Sequence, residues 1–142
     1  MYIKQVSVFI ENREGRLREV LDVLKKENVS IVSMSLADTS EYGLLRLLVN
    51  RPEDAMTGFQ KNGFSAILTD VLGIRLAHRA GRLQELLDVI CRANINIEYM
   101  YGLSTGTDDA SVVIKASDLE KAAEVLKETD VELISQEKIA AM

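Results

Sequence analysis

Cysteine, proline and histidine occur once each in this chain of 142 residues, and aromatic side chains make up 5% of it. Charge interrupts every apolar stretch well before the roughly 20 residues that a membrane-spanning helix needs. Each scarcity removes a class of function. With one cysteine, Cys91, there is no intramolecular disulfide framework and no CxxC pair of the kind a metal carrier would use. Cys91 falls in a helix-like run beside Ile90, where it is expected to pack as a small hydrophobe. One histidine, no HExxH and no P-loop leave no metal site, and most acidic residues fall at i, i+4 spacing on polar helix faces. No catalytic group and no cofactor are therefore expected. Few aromatics and no basic stripe, at a net charge of −5, exclude nucleic acid as a direct partner. The first residues enter a strand-like alternation with no apolar targeting region, so a cytoplasmic location away from any membrane is expected.

What is present is a repeat. Asn12-Arg13-Glu14-Gly15-Arg16-Leu17-Arg18-Glu19-Val20-Leu21-Asp22-Val23-Leu24 returns as His78-Arg79-Ala80-Gly81-Arg82-Leu83-Gln84-Glu85-Leu86-Leu87-Asp88-Val89-Ile90, at an offset of 66 residues. The register continues from Asn28-Val29-Ser30-Ile31 to Asn94-Ile95-Asn96-Ile97. In each copy a period-two strand comes first, with Val6, Val8 and Ile10 in one and Leu72, Ile74 and Leu76 in the other. A helix follows, its apolar stripe formed by Leu17, Val20, Leu21 and Leu24, or by Leu83, Leu86, Leu87 and Ile90. Asn28 and Asn94 sit where a helix ends in a left-handed residue.

Two more strands are expected in each copy, near 30–38 and 43–50, then near 95–104 and 109–116. Turn-rich Asp38-Thr39-Ser40-Glu41 and Ser104-Thr105-Gly106-Thr107-Asp108 join them. Pro52 suits the first position of a second helix, and Ser117-Asp118-Leu119-Glu120 has the spacing of a capping box. Short strands near 64–69 and 131–137 close the copies, with a corner near Asp70. The order βαββαβ, twice, predicts an α+β fold: two ferredoxin-like modules, residues 1–69 and 70–142, with helices on one face of antiparallel sheets, packed as an intramolecular pseudo-dimer. Copies of about 70 residues are marginal alone. Residual edges also give chains a way to pair as a homodimer.

The strand-to-helix loop carries the chemistry. Gly15 and Gly81 stand where a chain leaving a sheet turns tightly, and the helix that each opens aims unpaired N–H groups at that spot, which suits a carboxylate.

The strand, the Asn12-to-Leu17 loop, the helix and Asn28-Val29-Ser30-Ile31, repeated at His78 to Leu83 and Asn94 to Ile97, resemble the ACT domain, a regulatory module of amino-acid-metabolism enzymes. The resemblance spans nearly the whole chain and looks like the stand-alone tandem group, with no catalytic domain attached. It implies a non-catalytic sensor of a free amino acid or similar small carboxylate, and a metabolic enzyme as regulated partner. The ligand would lie between two modules, held by the first loop of one and the second-strand start of the other. Residue by residue this implies Asn12, Arg13, Glu14, Gly15, Arg16 and Leu17 with His78, Arg79, Ala80, Gly81, Arg82 and Leu83 from the loops. Ser30, Asn96 and Ile97 come from the strands. Glu14 and Ala80 replace the family's usual proline, and His78 its Asp or Asn. If loops cross to opposite strands, Asn12 joins Asn96 and His78 joins Ser30, and the pair with two amides is expected to bind more tightly. Tyr99 and Tyr101 are expected to pack into the sheet face. The alternatives are a subunit that docks on an enzyme with no ligand of its own, and an enzyme using His78 as acid or base.

Overall fold

A computed structural model describes residues 2–38, 41–104 and 109–142. The Thr39-Ser40 and Thr105-to-Asp108 parts of the expected turns lie outside the described residues. In chain order the elements are β1 (Ile3–Glu11), α1 (Arg16–Lys26), β2 (Ile31–Asp38), β3 (Tyr42–Val49), α2 (Pro52–Lys61), β4 (Ser65–Leu76), α3 (Arg82–Arg92), β5 (Ile97–Leu103), β6 (Ala110–Ala116), α4 (Leu119–Lys127), β7 (Glu132–Ile134) and α5 (Gln136–Ala140). This is an α+β fold of two βαββαβ repeats.

Two compact units form: Lys4–Thr69 with Glu137–Met142, and Asp70–Gln136 with Met1–Ile3. In the first, β3 pairs antiparallel with β1 on one side and β2 on the other. Alternation then divides the strands. Val6, Val8 and Ile10 of β1 and Leu45, Leu47 and Val49 of β3 face the helices, where Val20, Val23, Leu24, Ala55 and Phe59 complete the core. Phe59 and Phe64 meet edge to face, with centroids 5.9 Å apart. In the second unit β6 pairs antiparallel with β4 and β5, and β7 pairs with β4. Its core repeats the plan with smaller groups: Leu72, Ile74 and Ile114 from the strands, and Leu86, Ile90, Ala122, Ala123 and Leu126 from the helices. Burying each leucine-sized side chain contributes about 1.5–3 kcal/mol.

Both α1 and α3 end in the same hydrogen-bonded turn. Val29 N–H donates to Leu24 O and Asn28 N–H to Lys25 O, and Ile95 to Ile90 and Asn94 to Cys91 do likewise. The asparagines take φ 55° and 59°, the left-handed cap expected of them.

Several expectations need correction. No corner near Asp70 divides two strands: β4 runs unbroken through twelve residues, with the strand-forming Val71, Leu72 and Ile74 continuing the extended chain as a buried run. The strand near 131–137 is three residues long and gives way to α5, which buries Ile139. On α1 the buried row is Val20, Val23 and Leu24, while Leu21 is exposed. Cys91 is exposed rather than packed, since it lies one position past Ile90, the residue turned to the core. The α4 cap is Asp118, whose carboxylate accepts the Lys121 N–H at 3.0 Å. Ser117 is used elsewhere.

In the second unit Gly73 makes room for Ile3. A Cβ added there would stand 2.5 Å from Ile3 Cδ1 and 3.2 Å from Ile134 Cβ, so any side chain would displace the buried Ile3.

Candidate functional site

The two loops have one backbone. Gly15 (φ 80°, ψ −12°) and Gly81 (φ 84°, ψ −9°) precede α1 and α3 in the left-handed conformation. A Cβ on either would meet nothing within 4 Å, so the backbone angle, not crowding, demands glycine. Arg13 N–H donates to Glu11 O at 2.9 Å, and Arg79 N–H to Ala77 O at 3.0 Å. Glu19 and Glu85 N–H groups each donate to the glycine carbonyl at 3.0 Å. Neither helix has a side-chain cap. The N–H groups of Leu17 and Arg18, and of Leu83 and Gln84, therefore open their helices with no carbonyl behind them in the helix, a polarity suited to an anion.

A cavity adjoins each loop. The first, about 180 Å³, is lined by Ile10, Glu11, Asn12, Arg13, Leu17, Leu36, Asp38 and Gly43. The second, about 330 Å³, is lined by Leu76, Ala77, His78, Arg79, Ala80, Arg82, Leu83 and Ala110. They are repeat-related: Ile10 faces Gly43 across β1 and β3, and Leu76 faces Ala110 across β4 and β6. Their chemistry differs. Glu11 and Asp38 give the first wall two carboxylates, whereas Ala77 and Ala80 leave the second with none. Small-ligand pockets begin near about 300 Å³, and the second alone reaches that size.

Ion pairs hold the loop cations. Arg13 Nε lies 2.8 Å from Glu11 Oε2. Its hydrogen bond, then its charge, lowers the Glu11 pKa below the usual carboxylate range. Arg79 contacts both oxygens of Glu85, at 3.2 and 3.0 Å, and Arg82 reaches Glu85 at 3.1 Å and Asp130 at 2.6 Å. Hydrogen bonds from Arg79 and then Arg82 lower Glu85, and the one from Arg82 lowers Asp130. Arg16 turns away from the first loop cavity. Its guanidinium carbon sits 4.2 Å from the Phe64 ring centroid and its Nη1 pairs with Glu19 at 2.5 Å. It lines a separate cavity with Phe64, Asn62 and the polar side of α1.

Of the residues expected from the sequence, Asn12, Arg13 and Leu17 line the first cavity, and His78, Arg79, Ala80, Arg82 and Leu83 the second. Glu14, Gly15 and Gly81 are exposed on the loops and line neither. Ser30 and Asn96 also line neither, but their backbones are fixed alike. Ser30 N–H donates to Asn50 Oδ1 at 2.9 Å, and Asn50 N–H returns to Ser30 O at 3.2 Å. Asn96 N–H donates to Ser117 Oγ at 3.0 Å, and Ser117 N–H returns to Asn96 O at 2.8 Å. Both residues remain exposed. Ile97 is half-buried, packed against the second core. Tyr99 and Tyr101 are half-buried opposite Lys115 and Val113. Leu36, Asp38, Gly43 and Ala110 were not foreseen as cavity walls; strand register brings them there. Among the described residues no group of three or more His, Cys, Asp or Glu could hold a metal ion, and no helix is long and apolar enough to cross a membrane.

The sequence matches the family described as an ACT domain pair over residues 1–142. The crystal structure of protein BT0572 from Bacteroides thetaiotaomicron is similar at 37% identity and a TM-score of 0.94, covering 100% of this chain and 98% of that one. The regulatory subunit of aspartate kinase from Thermus thermophilus shares the fold at 15% identity and a TM-score of 0.64, covering 89% of this chain and 93% of that one. The Thermus flavus counterpart does so at 17% and 0.61, covering 88% and 90%. No curated protein matches in sequence. ACT modules are non-catalytic units of amino-acid sensing and regulation. With two left-handed glycine loops, two repeat-related cavities and a family match from end to end, this chain belongs to the ACT domain pair family, as a regulatory module and not an enzyme.

Proposed function

We propose that the protein senses a free amino acid or similar small carboxylate and passes that signal to a metabolic enzyme. The modules of this reading are residues 1–69 and 70–142. The ligand carboxylate takes the open N–H groups that start α1 or α3, and the start of the second strand of a neighbouring module completes the site with Ser30 or Asn96. The supporting observation is the recurrence of one loop in both modules, each with an uncapped helix start beside a cavity. The likeness in fold to regulatory subunits of aspartate kinase supports an enzyme as partner.

A thermal-shift panel of the common amino acids tests the reading. A ligand present at about 100 times its Kd stabilises the fold by about 2.7 kcal/mol, which a melting curve resolves. Silence across the panel would leave a module that works by docking alone. Calorimetry with a panel hit then compares the strand starts. Asn96→Ala is expected to weaken binding by about 1 kcal/mol, the scale of one amide hydrogen bond, and Ser30→Ala by less. Equal losses remove the asymmetry.

A further inference from the structure

The arginine that opens the first helix of each unit is set differently in the two. Arg82 is 15% exposed, and its guanidinium meets Glu85 at 3.1 Å and Asp130 at 2.6 Å. Asp130 comes from the turn between α4 and β7. Arg16 is almost as deeply placed, at 19% exposed, but the turn after α2 reads Asn62-Gly63-Phe64 and supplies no carboxylate. The Phe64 ring covers a face of its guanidinium instead, 4.2 Å from the central carbon. Glu19 is then its one ion-pair partner among the described residues, and its Nε is enclosed with no acceptor among them. A buried donor left unpaired is costly.

Beside this arginine lies the cavity of about 230 Å³, walled by Arg16 and Phe64 with Asp22, Lys26 and Asn62 around them. Asp22 and Lys26 stand one turn apart on α1, both exposed, and neither has an ion-pair partner among the described residues. The Asn62 amide donates to Gly58 O at 2.7 Å, which leaves its Oδ1 as an acceptor. A spare cation and a spare anion therefore face one cavity with an aromatic floor, all within one compact unit.

We propose that this cavity binds a small zwitterion, an α-amino acid with a short side chain, at a site apart from both loops. The ligand carboxylate takes toward Arg16 the place that Asp130 holds on Arg82, with Lys26 as a second cation, and its ammonium goes to Asp22 and the Asn62 amide oxygen. Charge selects against other anions. A phosphate or a dicarboxylate brings further negative charge against Asp22 and Glu19. Volume selects too, since the cavity is smaller than the roughly 300 Å³ at which pockets for drug-sized ligands begin. Once filled, the site ties α1 to the turn after α2, as the Arg82–Asp130 pair ties α3 to the turn after α4. It stands whether or not the loops hold a ligand.

NMR titration of the 15N-labelled full chain with glycine, with L-alanine and with inorganic phosphate tests the proposal. The Arg16 Nε–H and Asn62 side-chain amide signals are expected to move together and saturate with an amino acid, and to stay in place with phosphate. Lys26→Glu, at an exposed position, is expected to weaken that binding about tenfold, the scale of one hydrogen bond to a charged group. Stationary Arg16 and Asn62 signals overturn the proposal, and a response confined to residues around Gly15 and Gly81 would leave the loops as the binding sites. Equal movement with phosphate overturns the zwitterion as ligand, and binding that Lys26→Glu leaves unchanged overturns the site. Should Lys26→Glu lose its fold, Asn62→Asp decides: a carboxylate supplied to Arg16 by the chain itself is expected to abolish the response, and a response that persists refutes the proposal.

Discussion

The loop before α1 and the loop before α3 share a glycine in the same left-handed conformation and the same carbonyl acceptors, yet border unlike cavities. One is narrow and carries two carboxylates, Glu11 and Asp38; the other is nearly twice the volume, with Ala77 where the first has Glu11. Duplication preserved what the backbone requires and released what the side chains offer. A glycine forced by φ cannot drift, whereas a residue on an open wall can change at little cost in stability. Here the divergence runs toward anion tolerance in the second copy.

The sharpest way to separate the copies is through their cores. Phe59 and Leu126 are fully buried in the second helix of their respective units. Phe59→Ala is expected to cost about 3–5 kcal/mol, and Leu126→Ala a value nearer the low end of about 2–5 kcal/mol, as measured by urea unfolding. Reversal of that order would mean that the edge-to-face contact with Phe64 adds little. Next come the glycines. Gly15→Ala and Gly81→Ala should each lose about 1–2 kcal/mol in thermal melts, and by similar amounts, because each places a Cβ in left-handed backbone with free space around it. A clear inequality would show that the loops are not conformational equals.

Cavity chemistry is the next level. Ala77→Glu gives the second loop the carboxylate of the first, and calorimetry with a carboxylate ligand is expected to show about tenfold weaker binding, or about 1.4 kcal/mol. Unchanged affinity would place the ligand away from that wall. The smallest effect concerns acid. Glu85 and Glu11 both have folded pKa values lowered below their ordinary 4.5. Their stabilisation is present above that value and is lost as pH falls through the folded one. Glu85→Gln should flatten the acid limb of the melting curve more than Glu11→Gln, since two arginines hold Glu85 and one holds Glu11. Both carboxylates are exposed, so either change is small.

Much of this was legible from the chain. Short-range rules determine helix order, the twin left-handed asparagines, the Pro52 start and the loop glycines, and the structure agrees with each. Longer-range features escaped. Leu21 and Val23 fit a helical stripe about equally well, and only the position of α2 decides that Val23 is covered, its Cγ1 being 3.1 Å from a Cβ built on Gly58. Ser117 and Asp118 are both good caps by type, and the choice fell to Asp118 because Asn96 needed a partner for its N–H. At the candidate site the loop residues could be read in order, but the far walls, Leu36 with Asp38 and Ala110, are set by cross-strand register. The β2–β3 hairpin is local, but the pairings that bring it and Ala110 to the loops, Ile10 with Gly43 and Leu76 with Ala110, span 33 and 34 residues and leave no local mark.

The terminal segments carry one more lesson. Ile3 is buried over Gly73 in the unit built from the later half of the chain, while Glu137–Met142 are part of the unit built from the earlier half. A gene cut between codons 69 and 70 would consequently deliver neither unit whole: one fragment would keep an isoleucine it has no use for, and the other would have an unfilled hollow above a glycine. Circular permutation, rather than bisection, is the engineering route this connectivity permits.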